Sequence, residues 1–227
     1  MFEGEHLSRG ELIHRLVGLI EGVDVAHPTR VAIDGADAVG KTTLADELSM
    51  AFGEAGNEAI RASVDGFHRP RAKRYERGPD SPAGYYLDSF DYDALRSLLL
   101  EPLGPGGSRS YRPAAFNLDT DSPLDLEPRT AGHRAVLLFD GVFLLRPELR
   151  DVWDVRILVR ADSDETLRRA VKRDAVRFGS AAEVERRYRV RYIPGQSLYF
   201  EQARPDLAAD AVVLNDDPAA PRLRLRS

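Results

Sequence analysis

The 227-residue chain carries 32 basic and 37 acidic residues, a formal charge of −5, with 43% hydrophobic and 30% charged side chains, the balance of a soluble globular protein. With no cysteine it excludes disulfide scaffolds, thiolate nucleophiles and Cys-ligated zinc. Its mild acidity argues against nucleic acid as a partner, which needs a basic footprint. Three of the basic residues are lysine, Lys41, Lys73 and Lys172, and the rest are arginine. A composition bias accounts for the arginine, and each remaining lysine raises the question of what arginine could not do there.

The first residues carry acids and no long apolar run, so the reading is against a signal peptide. The most apolar stretch, 135–145, is about half a membrane span and is interrupted by Asp140. A cytoplasmic protein without a membrane partner is expected.

In chain order, Leu12, Ile13, Leu16, Val17 and Ile20 recur at helical spacing and predict an opening amphipathic helix. Residues 30–34 (RVAID) predict a buried strand, 42–52 a helix through Leu44, Leu48 and Phe52, and 59–64 a second strand. Residues 65–83 read as an Arg-, Pro- and Gly-rich loop, 92–100 as a helix, and 101–107 (EPLGPGG) as a breaker. Residues 109–118 suggest a short strand or hairpin arm, and 135–139 and 155–159 are apolar strand runs. Two helices follow at 166–177 and 181–191, split by Phe178-Gly179-Ser180, then a last strand at 211–214 and a polar tail. Apolar strands alternating with helices predict an α/β protein, one domain over 1–227, with a parallel sheet and helices on both faces. The arginine-rich helical pair, roughly 168–191, is read as a movable lid.

Gly35-Ala36-Asp37-Ala38-Val39-Gly40-Lys41-Thr42 fits G-x-x-x-x-G-K-[ST] in full, between a predicted strand and a predicted helix. Glycines at these spacings let backbone N–H groups converge on phosphate at a helix N-terminus. Lys41 would reach the β- and γ-phosphates, the Thr42 hydroxyl would help hold Mg²⁺, and Thr43 extends the polar helix start. Asp140, at the end of the 135–139 strand, stands where a second acidic group of the Mg²⁺ shell belongs.

The chain has no Asn-Lys pair for a guanine-reading motif and no Leu-Ser-Gly-Gly, so a signalling GTPase and a transporter-type ATPase are disfavoured. Transfer of phosphate to a small acceptor remains. Asp65, after the second strand, suits a general base that orients and deprotonates a hydroxyl, and His68 is placed to contact the acceptor. Residues 168–191 hold nine basic residues against three acidic ones, and Arg169 and Arg173, four apart, share a helical face that could stabilise a transferring phosphoryl group. Arg69, Arg71, Lys73, Arg74 and Arg77 form a second basic cluster, read chiefly as solvated loop.

The phosphate loop with Lys41-Thr42-Thr43, then Val64-Asp65-Gly66-Phe67-His68, Ser89-Phe90-Asp91, Leu138-Phe139-Asp140-Gly141-Val142 and Arg169-x-x-x-Arg173-Asp174, occur in one order. That order resembles the uridine kinase group of P-loop kinases, which includes pantothenate kinase and phosphoribulokinase, over residues 30–215. The resemblance implies the three-layer P-loop NTPase fold and ATP with Mg²⁺ as donor, bound by Gly35 to Thr43. It implies Asp65 as catalytic aspartate, Phe90 and Asp91 beside the acceptor, with Asp91 on its ribose hydroxyls, Asp140 in the metal shell, and Arg169 and Arg173 as lid arginines. A uridine- or cytidine-like nucleoside is the expected acceptor. This chain departs from the uridine kinases in having His68 where they have tyrosine, no histidine in 110–119, and Arg177-Phe178-Gly179-Ser180 in the lid. Pantothenate, a sugar, another nucleoside, or an ATP-sensing module without transfer therefore stay open, as does homo-oligomerisation.

Overall fold

The computed structural model describes residues 4–226. In chain order its elements are β1 (Glu5–His6), α1 (Arg9–Glu21), β2 (Thr29–Gly35), α2 (Lys41–Glu54), β3 (Ala59–Ser63), a 3₁₀ turn (Val64–Phe67), α3 (Arg71–Arg74), α4 (Pro82–Asp88) and α5 (Tyr92–Leu95). Four two-residue strands follow, β4 (Ser110–Tyr111), β5 (Phe116–Asn117), β6 (Ser122–Pro123) and β7 (Arg129–Thr130). The chain then forms β8 (Val136–Gly141), β9 (Val155–Arg160), α6 (Ser163–Phe178), α7 (Ala181–Arg187), α8 (Ile193–Ala203), α9 (Pro205–Ala208), β10 (Ala211–Leu214) and β11 (Arg222–Leu225).

The main sheet has seven strands in the order β1-β11-β10-β9-β2-β8-β3. The five from β3 to β10 pair in parallel, and β11 and β1 add an antiparallel edge. Side chains alternate across it. Val31, Ile33, Leu138 and Ile157 join Leu12 and Leu16 of α1 and Leu44, Leu48 and Phe52 of α2 in one core, whereas Ala32, Leu137, Phe139 and Leu158 join Phe67, Phe143, Trp153 and Tyr199 in the other. Each such fully buried Leu or Phe contributes about 1.5–3 kcal/mol of transfer free energy, so the doubly faced sheet forms a rigid platform. The expected fold, a parallel sheet with helices on both faces, is the one seen. Among the described residues no helix is long and apolar enough to cross a membrane.

Register sets the site. Asp34 is level with Gly141, and Ser63 with Asp140, so the C-terminal ends of β2, β3 and β8 lie side by side. The chain leaves β2 past β8 to β3 and later reaches β9 on the opposite side of β2, which makes the end of β2 a topological switch point, where α/β sheets bind ligands.

The structure differs from the sequence reading in four places. The expected loop 65–83 is partly folded, because Ser81 caps α4 through the Gly84 N–H and Pro82 fits its first turn. The 109–118 strand is instead split between two small ribbons, β4 with β7 and β5 with β6. The polar tail carries β11, whose Leu223 is buried while Arg222 and Arg224 alternate with it. The second helix of the arginine-rich pair runs on beyond 191 through a π turn (Tyr188–Tyr192) into α8.

Candidate active site

The phosphate loop arises where β2 runs out of sheet. A Cβ on Gly35 would lie 2.2 Å from the Val159 carbonyl oxygen, so only glycine lets the chain turn beside β9. Gly40, at φ 97°, forms the N-cap of α2 without any side chain to cap it. α1, α4, α6 and α7 are each capped by a Ser or Asp side chain. The uncapped first N–H groups of α2 are donors at the positive end of a 14-residue helix, the chemistry that receives phosphate oxygens.

Lys41 is buried at 8% exposure, and its Nζ donates to the Ala36 carbonyl at 2.7 Å, bridging the loop. The Thr42 hydroxyl donates to Asp140 Oδ2 at 2.8 Å, joining the hydroxyl and carboxylate that a divalent cation would require. Thr43 lies in the exposed first turn of α2. Asp37 accepts from the Tyr85 hydroxyl at 2.6 Å and from Gln196 Nε2 at 3.0 Å, which pins the loop to α4 and α8. Under the loop, the fully buried Asp34 accepts from the Tyr199 hydroxyl, and burial raises its pKa. Tyr199 in turn accepts from the Leu145 N–H at 3.1 Å, so the pair holds the turn after β8.

These groups open on a cleft of about 780 Å³ lined by Asp37, Lys41, Thr42, Asp65, His68, Phe90, Asp140, Arg173 and residues of α3, α4 and the π turn. Asp65 enters it from the 3₁₀ turn after β3, its N–H bound to Ser63 Oγ. Its carboxylate is 72% exposed to cleft water. The protein wall around it, with Asp37 and Asp140 nearby, nevertheless raises its pKa, against opposing pulls from His68 and Lys41. His68 donates from Nδ1 to the Asp65 carbonyl at 3.0 Å and packs on Phe90 with ring centroids 4.5 Å apart. Burial lowers the His68 pKa against the opposing pull of Asp65, and the ring keeps the turn in place as a hydrogen-bond donor.

Two sequence-predicted residues stand elsewhere. Asp91 caps α5, its Oδ1 accepting from the Ala94 N–H at 3.0 Å, and it is not part of the cleft wall. Arg169 is also absent from that wall. Its guanidinium pairs with Glu165 at 2.7 Å and donates to the Asn215 and Asp216 carbonyls, bracing the segment after β10. Arg173 does line the cleft, forked onto Asp174 at 2.7 and 2.8 Å. Most of the local positive charge is answered nearby, Arg186 and Arg187 by Glu183 and Arg189 by Glu185. Arg191, buried at 4% exposure, donates to carbonyls of residues 74, 78, 79 and 81 and thus ties down the segment before α4. In the second basic cluster Arg71 and Arg74 reach the cleft wall, which the solvated-loop reading did not anticipate. Arg74 pairs with Asp121 at 2.7 Å.

Sequence reasoning missed Arg61. From β3 its guanidinium binds Asp140 Oδ1 at 3.0 Å, the Leu138 carbonyl at 2.7 Å and Asp46 at 3.0 Å, so Asp140 is held on one oxygen by Arg61 and on the other by Thr42. A charged residue inside an otherwise small and apolar strand (AIRAS) was the available signal. Replacing it, Arg61→Gln, is expected to raise the Mg²⁺ concentration needed for half-maximal nucleotide binding about ten- to a hundredfold, because a released Asp140 loses its aim, the usual weight of an outer-shell partner. Calorimetric nucleotide titrations at several Mg²⁺ concentrations check this, and an unchanged Mg²⁺ requirement would refute it.

Uridine-cytidine kinase B of Dictyostelium discoideum is 30% identical over 159 residues, spanning 69% of this chain and 63% of that protein. The uridine kinase of Chlamydia pneumoniae is 25% identical over 176 residues, 77% of each chain. A solved structure described as a possible uridine kinase from Bacillus stearothermophilus superposes with a TM-score of 0.69 at 24% identity, covering 89% of this chain and 97% of that one. The chain is similar in sequence to uridine kinases and shares the fold of that possible uridine kinase. No family model matches it. It spans 31–63% of the length of the first three curated relatives it matches.

Proposed function

We propose that the protein is an ATP- and Mg²⁺-dependent small-molecule kinase that phosphorylates a hydroxyl of a nucleoside-like acceptor, with uridine or cytidine the first candidate. The observation that carries this reading is a single one. The uncapped start of α2, Lys41, the Thr42–Asp140 pair and the water-exposed carboxylate of Asp65 all open on the same cleft.

When bound, MgATP supplies the transferable phosphoryl group. The α2 N–H groups and Lys41 hold anionic oxygens, and Thr42 with Asp140 offers the oxygen ligands for the cation. Asp65 accepts the proton of the acceptor hydroxyl, with its turn kept in place by His68 and Ser63. Phe90, itself buried, backs the His68 ring at the cleft wall, the two rings tilted against each other. Arg173 contributes charge from α6, one of the arginine-rich pair of helices, which we read as a lid. Arg169 acts from outside, by fixing residues 215–216 next to the phosphate loop, where Asn215 Nδ2 donates to the Val39 carbonyl at 2.7 Å.

A panel of nucleosides, pantothenate, sugars and sugar acids, scored for acceptor-dependent ADP formation, tests this. Uridine or cytidine is expected to stimulate ADP release most. Stimulation by another hydroxyl compound alone would move the acceptor and leave the kinase, while stimulation by none would favour an ATP sensor.

A further inference from the structure

The phosphate loop is a partition with two sides. Asp37 and Lys41 line the cleft, and Ala36 and Val39 line a second hollow of about 270 Å³. This hollow lies between the loop, the end of β9, the first turns of α6 and the inner face of α8, with Tyr188 forming part of both walls. Its lining chemistry differs from that of the cleft. Val39, Val159, Leu167, Ile193 and Phe200 make it chiefly apolar. Six aspartates line the cleft, and neither Asp nor Glu lines the hollow. One cation does. Arg160 is exposed at the end of β9, its guanidinium 5.5 Å from the Phe200 ring centroid, and among the described residues it makes no ion pair. Ser163 adds an exposed hydroxyl in the first turn of α6.

An apolar hollow with a single unanswered guanidinium and no carboxylate selects one ligand chemistry. The body must be apolar and about the size of one ring, and the head must be an anion flat enough to meet the guanidinium fork. We propose that this hollow is a regulatory site for a small carboxylic acid with an aromatic or branched aliphatic body. The ring packs against Phe200, Leu167 and Val39 while the carboxylate meets Arg160 and Ser163. The occupant would be felt at the phosphate loop through two contacts. Gln196, in the wall, is the donor that holds Asp37 at 3.0 Å, and Ala36, also in the wall, carries the carbonyl that accepts from Lys41 at 2.7 Å. Pressing on either residue moves a group that would grip the donor's phosphates, so ligand and nucleotide affinities are linked, and linkage is reciprocal.

Phenylacetate is the probe. Titrated into the full chain by saturation-transfer NMR, it is expected to bind saturably, and benzyl alcohol, which keeps the ring and loses the charge, about tenfold more weakly, the usual weight of one charge-assisted contact. Arg160→Gln is expected to remove that preference. Leu167→Trp, which fills the hollow, should abolish binding if circular dichroism shows the fold kept. MgATP affinity, measured by calorimetry, is expected to shift about fivefold at saturating phenylacetate, within the usual range of coupling between sites. Absence of saturable binding, equal affinity for benzyl alcohol, or an Arg160→Gln protein that binds phenylacetate as the wild type does would overturn the site. Simple one-for-one displacement of phenylacetate by MgATP would place it in the main cleft and overturn the proposal equally. An unchanged MgATP affinity would remove the regulatory role. None of these binding readouts depends on which acceptor is phosphorylated.

Discussion

Asp65→Asn is expected to lower acceptor-dependent ADP formation by about two to four orders of magnitude, the usual weight of a positioned general base, while nucleotide affinity stays within about threefold. The substitution is nearly isosteric. The carboxylate is largely exposed to cleft water, and the one ionisable side chain within ion-pair reach of it is His68 at 3.9 Å. The bonds that shape the turn, from the Asp65 N–H to Ser63 Oγ and from His68 Nδ1 to the Asp65 carbonyl, are backbone contacts that asparagine keeps. Stability should therefore change by less than about 0.5 kcal/mol, as for surface substitutions generally. The pH profile separates a base from a mere binding contact. A base works ionised, so activity rises with pH through the Asp65 pKa. Because the enclosing wall and the neighbouring Asp37 and Asp140 raise that pKa, the acid limb should lie above the ordinary aspartate range near 4. The asparagine variant should lose this limb along with its rate. A variant with near-wild-type turnover, or one that keeps the same acid limb, would show that the proton goes elsewhere.

What the sequence disclosed of this site followed from chain proximity. The phosphate loop, Asp65 and Asp140 were legible because each follows directly on an apolar strand run, and parallel strands bring such ends together at one sheet edge. The groups that hold them were not, because they come from distant segments. Arg61 meets Asp140 across 79 residues, Tyr85 meets Asp37 across 48, and Gln196 meets Asp37 across 159. No local pattern announces such partners. The arginine-rich helices show the same limit. Arg169 and Arg173 share a helical face by spacing, yet spacing could not reveal that carbonyls of the segment after β10 claim Arg169 while Arg173 stays at the cleft. Asp91 is a further instance, since Ser-Phe-Asp followed by Tyr-Asp-Ala-Leu is also a helix start, and the structure uses the aspartate that way. The strand at 222–225 was missed because alternating Arg and Leu on a sheet edge has the composition of a solvated tail.

Lys41→Ala should reduce phosphoryl transfer at least a hundredfold, the scale set by removing one preorganised donor from a developing charge, and should do so with the fold intact. Lys41 has a single hydrogen bond to the protein, to the Ala36 carbonyl, and cleft water can take that bond over, so thermal stability should fall by no more than about 1–3 kcal/mol, the range for leaving one buried acceptor unpaired. The charge also acts on Asp65, whose pKa it holds down against the enclosing wall. Removing it should push the acid limb of any residual activity to higher pH, a shift that simple loss of phosphate contact would not give. Lys41→Arg separates charge from shape. It preserves the cation, so Asp65 should titrate as in the wild type. The planar guanidinium is too broad for a loop whose Lys41 Nζ sits 2.7 Å from the Ala36 carbonyl, so turnover should remain low. If arginine restored turnover, positive charge alone would suffice there, and the chain's scarcity of lysine would carry no information about this position. If it restores only the pH profile, a slim ammonium on a flexible stem is what this loop requires in a protein that otherwise uses arginine for nearly all its positive charge.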